Sequence, residues 1–185
     1  MLCATALLAG CGSAPTVRYH SLMPATAAAP TPASVSWAID AVTIPAQVDQ
    51  PQWLVRMGDD SMRLLEQERW AGPLGDELRG ALGEAITRRI GSPASLKAGT
   101  GKTWRVRVDV QRLELAPTRH AALVVDWSVG SGGAPDLRCR DVQQRPVSAG
   151  FDTLAAAQRE AVAALGERIA AAITALERGG ATCPS

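Results

Sequence analysis

Residues 104–115 alternate between apolar and polar side chains and then change phase. Trp104, Val106, Val108 and Val110 fall on even numbers with Arg105, Arg107 and Asp109 between them, whereas Leu113 and Leu115 fall on odd ones. Side chains in a strand repeat every two residues, so an apolar set keeps its face through such a switch only if a residue is inserted. The pattern predicts a long strand with a β-bulge near Gln111 or Arg112. A strand buried on one side needs neighbours to pair with and a second layer to cover it. Residues 121–129 supply a partner, with Leu123, Val125, Trp127 and Val129 inward, and residues 136–148 read as a more polar strand suited to an edge.

The second layer is helical. Leu74, Leu78, Leu82, Ile86 and Ile90 recur every four residues with Ala81 and Ala85 beside them, which predicts a helix over 74–90 stopped by Gly91 and Pro93. A second helix is expected over 153–178, with Asp152 as N-cap, Gly179 as stop, and a stripe of Leu154, Ala161, Leu165, Ile169, Ile173 and Leu176. The chain therefore reads as one α+β domain, a mostly antiparallel or mixed sheet with two main helices packed on one face. Its 185 residues suit a single domain with a short N-terminal extension. Hydrophobic residues make up 46% of the chain, but 33 are Ala, so a few large side chains must carry the core. Trp37, Trp104 and Trp127 fall on inward strand faces and are core candidates. The net charge of +1 argues against a nucleic-acid surface.

Residues 1–11 form an apolar run ending in small residues, as an export signal requires, and Leu8-Ala9-Gly10-Cys11 is a bacterial lipobox. The run is too short to span a bilayer, which takes about 20 apolar residues. Cleavage before Cys11 would leave residues 1–10 as a signal-peptide remnant, residues 11–34 as a lipid-anchored tether and residues 35–185 as the domain. Gly12, in place of Asp, after the lipidated cysteine favours the outer membrane. Pro, Ala, Thr and Ser dominate the tether, which at ~3.1 Å per residue could reach roughly 70 Å.

Residues 35–44 alternate as a strand with Val35, Trp37 and Ile39 on one side, and Pro45 ends it by removing a donor. Residues 53–57 and 62–65 flank Gly58-Asp59-Asp60-Ser61 and read as a hairpin, with the two acids as turn residues. Pro45 and Pro51 bracket a crossing that cannot be a central strand. The order strand, Ile44-Pro45, Asp49-Gln50-Pro51-Gln52-Trp53-Leu54-Val55-Arg56, then Arg69-Trp70-Ala71-Gly72-Pro73-Leu74 resembles the PqiC family, also called the ABC-type transport auxiliary lipoprotein component family. The similarity runs from Cys11 through the last helix. Arg18-Tyr19-His20-Ser21-Leu22 resembles a family element that packs against the domain, which shortens the free tether. The chain departs from the pattern at Gln50, where the family usually has Arg, and at Gly72, where an acid is common, so no salt bridge between those positions is expected.

The resemblance implies a lipoprotein subunit on the periplasmic face of the outer membrane. It would serve an MCE-type (PqiB-like) lipid transport system that supports membrane integrity. An MCE-domain protein is the implied partner, the membrane is reached through the Cys11 anchor, and a homo-oligomer is a further expectation. A periplasmic adaptor or ligand-binding lipoprotein with no part in lipid transfer is the alternative. Pro45, Asp49, Pro51, Gln52, Trp53, Arg56, Arg69 and Trp70 are the family-motif or interface candidates. They can be structural, with Asp49 capping a turn, Arg56 and Arg69 paired with carboxylates and Trp70 in the core. They can equally form a docking or self-association face, because a Pro-fixed loop loses little entropy on binding and Trp and Arg dominate interface energies. In that case Gln52→Ala with Trp53→Ala leaves the fold intact.

Catalytic chemistry leaves no signature. Gly101-Lys102-Thr103 lacks the earlier Gly and the following helix of a phosphate loop. His20 and His120 are isolated, and no spacing of His, Cys and carboxylates matches a zinc pattern. Neither an enzyme, a cofactor nor a metal is expected. Processing would remove Cys3 and lipid would cap Cys11, leaving Cys139 and Cys183. The expectation is a disulfide pinning the C-terminal tail to the edge strand, with two free thiols as the other outcome.

Overall fold

The computed structural model describes residues 15–29, 31–33, 35–59, 61–93, 102–132 and 136–184. The lipobox with Cys11, and also Asp60 and Gly101, lie outside the described residues. The elements are β1 (Arg18–His20), β2 (Trp37–Thr43), β3 (Gln52–Arg56), β4 (Met62–Trp70), α1 (Leu74–Ile90), β5 (Trp104–Ala116), β6 (His120–Gly130), β7 (Leu137–Pro146) and α2 (Phe151–Glu177). They form one seven-stranded sheet in the order β1-β4-β3-β5-β6-β7, with β2 paired to β5 as well.

β5 is the strand everything else measures against. Its register with β6 shifts between Val110 and Arg112, where the change of parity requires a bulge. Its other side is shared: β2 runs parallel to its first half, and β3 meets its end through Val55 and Leu115. β1 is parallel to β4, while β3 with β4, β5 with β6 and β6 with β7 are antiparallel, so the sheet is mixed. β7 is an edge strand, as its polarity predicts. β4 continues to Trp70, well past the four residues the hairpin pattern marks, because a register break between Gln52 and Trp53 lets it go on to pair with β1.

Both helices pack on the inward face. α1 has the predicted bounds and buries its predicted stripe. α2 starts earlier than the pattern indicates: Gly150 holds the cap position and no side chain caps the helix. Asp152 is therefore a first-turn residue and not the N-cap, and Thr153 Oγ1 donates to the carbonyl oxygens of Ser148 and Gly150 at 3.1 and 2.6 Å to close the turn. The helices meet where Gly166 faces Ala85, so closely that a Cβ on Gly166 would collide with the Ala85 methyl. All five tryptophans are buried.

The N-terminal segment is part of the fold from Arg18 onward. β1 pairs with the end of β4, and Leu22 sits in the core. Glu77 Oε2 accepts from Ser21 Oγ at 2.6 Å and from the Leu22 amide at 2.7 Å, and Glu84 Oε2 accepts from the Ala28 amide at 2.6 Å. The Ser92 amide donates to Thr31 O at 2.9 Å, and Gly91, at φ 89°, leaves the space that Pro32 and Ala33 occupy. Much of the segment that composition marks as a tether is thus strapped along α1. At the other terminus, Cys139 and Cys183 form the expected disulfide, with Cα atoms 5.8 Å apart and a sequence separation of 44. A closed loop of that size stabilises by roughly 3–4 kcal/mol in the chain-entropy account.

Gly166→Ala should lower stability in urea denaturation by about 1–3 kcal/mol, because the helices must separate. Gly83→Ala on α1, whose added methyl meets nothing within 4 Å, should instead be neutral or stabilising by up to about 1 kcal/mol.

Candidate functional site

The Pro-framed crossing between β2 and β3 is an ordered strap. The Val48 amide donates to Pro45 O at 3.0 Å, Asp49 to Ala46 O at 3.3 Å and Gln50 to Val48 O at 2.9 Å, while Val48 anchors the turn in the core. The Trp70 amide donates to Pro51 O at 2.8 Å and ties the strap to the end of β4. Asp49, Gln50 and Pro51 line a depression of about 330 Å³ together with Gly72, Pro73 and Leu74 at the start of α1. The two positions that depart from the motif, Gln50 and Gly72, therefore share one depression and leave it without the ion pair an Arg and an acid could form there.

The motif's tryptophans lie on the opposite side, inside the protein. Trp53 is fully buried, with its ring 4.3 Å from that of His20, 5.0 Å from that of Trp70 and 6.3 Å, edge-on, from that of Phe151. Its indole N–H has no hydrogen-bond partner among the described residues. Beside this cluster, His20 Nε2 is 2.6 Å from Glu68 Oε2, Arg18 pairs with the other oxygen of Glu68, and Asp152 Oδ1 is 3.8 Å from His20 Nδ1. Trp53 and Trp70 are thus core residues and do not present a docking face. The expectation that Trp53→Ala spares the fold is corrected, because alternation along β3 turns Trp53 and Val55 inward and Gln52, Leu54 and Arg56 outward.

Arg56 is an ion-pair residue. Its Nε donates to Glu114 Oε2 at 2.6 Å, Arg112 donates to the same oxygen, and His120 Nε2 is 2.8 Å from Oε1. Arg119 Nη2 donates to the carbonyl oxygens of Arg56 and Met57 at 3.2 and 2.7 Å, binding the hairpin to the β5–β6 turn. Among the described residues, Arg69 donates to the carbonyl of Glu66 at 3.2 Å and to no carboxylate. Asp49 is exposed on the strap, beside Pro51. Burial by itself would raise the Glu114 carboxyl, but the hydrogen bonds from Arg112, Arg56 and His120 outweigh it and hold the group at about 2.

Sequence patterning missed Glu114. It stands between Leu113 and Leu115 and reads as solvent-facing, yet it is buried beneath basic groups from β3, β5 and β6. Asp141 on β7 is similar, turned inward and bound by Arg168 of α2 at 3.0 Å. Leu137 and Cys139 were the available signal, since the strand period puts Asp141 and Gln143 on the same inward face. Among the described residues, neither imidazole is hydrogen-bonded to a Ser, Thr or Cys side chain, and no three His, Cys, Asp or Glu side chains group to hold a metal ion. No described helix is long and apolar enough to cross a membrane. The two His–Glu–Arg clusters act as fasteners between strands, and the strap is the ordered, outward-facing part of the motif.

A family model for the ABC-type transport auxiliary lipoprotein component matches residues 20–170. The chain belongs to this family of transport auxiliary lipoproteins. Among solved structures, an uncharacterised protein is similar at 15% identity and a TM-score of 0.71, over 86% of this chain and 99% of that one. A Xanthomonas campestris protein assigned to the family DUF330 is similar at 17% identity and a TM-score of 0.68, over 88% of this chain and 99% of that one. Both likenesses are of fold alone. No curated protein matches the sequence.

Trp53→Ala should cost about 3–5 kcal/mol and lower the melting temperature sharply, while Gln52→Ala should stay within about 0.5 kcal/mol of the parent. For Glu114, a folded value below the ordinary 4.5 means that its contribution is complete above about 4.5 and is lost as the pH falls toward about 2. Glu114→Gln should therefore flatten that part of the stability–pH curve measured by chemical denaturation.

Proposed function

We propose that this protein is the outer-membrane lipoprotein subunit of an MCE-type, PqiB-like lipid transport system and supports envelope integrity. The family match over residues 20–170, downstream of a lipobox ending at Cys11, carries the proposal. The fold is consistent with it in a specific way. Because the chain is bound into the domain from β1 onward, a lipid on Cys11 would hold the domain within about 20 Å of the bilayer at ~3.1 Å per residue. A subunit so placed works at the membrane surface, against a partner that spans the space to it. The strap from Pro45 to Pro51, with Gln52 outward beside it, supplies an ordered surface for an MCE-domain partner or a second copy.

Affinity purification of the lipidated protein from envelope membranes should recover an MCE-domain protein and phospholipid, and Cys11→Ser should be lost from the membrane fraction. Recovery of a partner with no phospholipid would favour an adaptor outside lipid transfer. An unmodified mature N-terminus by mass spectrometry would remove the anchor.

A further inference from the structure

Among the described residues, six large hydrophobic side chains are exposed, and four of them lie at one side of the sheet: Val17 (37%), Tyr19 (65%), Met62 (45%) and Leu64 (40%). Strand alternation puts three of these on the face turned away from the helices. Leu64 and Met62 oppose Leu54 and Arg56, whose neighbours Trp53 and Val55 are buried. Tyr19 opposes Arg69, and the residues after them, His20 and Trp70, are buried. Val17 directly precedes β1. The result is a stripe along β4 and β1 with two apolar ends, Met62 and Leu64 at one and Val17 and Tyr19 at the other, separated by Glu66, Gln67 and Arg69.

The chain that leaves this stripe says what covers it. Cys11 is six residues before Val17, so a lipidated chain brings the stripe's N-terminal end to within about 20 Å of the bilayer however the domain turns. Tyr is suited to the interface, since its ring is apolar and its hydroxyl wet. An arginine can lay its stem on apolar surface with its head among phosphates. Exposed Glu66 offsets exposed Arg63 on the same strand and Glu68 offsets Arg18, so net charge does not drive the contact and burial of apolar surface does.

We propose that the stripe of Tyr19, Val17, Leu64 and Met62 rests on the lipid surface and fixes the orientation of the anchored domain. The proposal depends on lipidation at Cys11. One lipid chain gives marginal, reversible binding, and a second weak contact on the same molecule makes it persistent.

The test compares lipidated protein in vesicles of phosphatidylethanolamine and phosphatidylglycerol with the Cys11→Ser chain free in solution, by hydrogen exchange. Backbone amides in residues 15–19 and 61–66 should exchange about fivefold more slowly on vesicles, with little change in 0.5 M salt (a concentration on the order of ten times the low-salt condition). Tyr19→Ser with Leu64→Ser should still float through its anchor and melt as the parent does, yet lose that protection. Unchanged exchange in floating protein, or protection that survives in the double variant, overturns the stripe and leaves the anchor standing. The same protection in the soluble Cys11→Ser chain, with a sedimentation mass above the monomer, assigns the stripe to a second copy and overturns the proposal. An unmodified Cys11 thiol and no flotation overturn anchor and stripe together.

Discussion

The fold depends on how one long strand satisfies its two sides. β5 meets β6 along nearly its whole length, but no single strand matches its other side. β2 takes the first half and β3 reaches the end, and between them the chain must leave the sheet, turn and come back. Pro45 and Pro51 make that departure obligatory, because neither can donate to a ladder and each constrains the residue before it. The hairpin of β3 and β4 is thereby set at the far end of β5, where Arg56 can reach Glu114 and β4 can receive β1.

This dependence explains why the motif residues are divided between two tasks. Trp53 and Trp70 fill the space opened where the hairpin, β1 and the start of α2 converge, against His20 and Phe151. Asp49, Gln50 and Pro51 remain on the outside, and their backbone bonds hold the strap in one shape. Residues adjacent in sequence thus sit on opposite sides of a wall. A run with Pro, Trp and Arg close together looks like a docking loop, but the period of two sorts it into core and surface.

What could be read from the sequence follows from how local the cause is. The bulge near Arg112 and the bounds of α1 follow from apolar spacing within a few turns or pleats, and both are found. The fold class follows from the same spacings, and the mixed character of the sheet from where β2, β3 and β1 pair. Non-local causes were illegible. The length of β4 depends on β1 pairing from 50 residues away, and the Arg18–Glu68 and His20–Glu68 contacts likewise span 50 and 48 residues. The burial of Glu114 depends on Arg56, 58 residues earlier in the chain. At the start of α2, Asp152 has the composition of a cap, but Gly150 and the Thr153 hydroxyl already close the turn.

The burial of all five tryptophans gives the molecule a built-in optical property. Trp37, Trp53, Trp70, Trp104 and Trp127 are each under 5% exposed and come from β2, β3, β4, β5 and β6. Indole emission therefore reports the interior of every one of these strands at once and is insulated from what happens on the surface. A red shift in this protein is a statement about the core as a whole, whereas events at exposed Asp49 on the outside of the strap pass without colour.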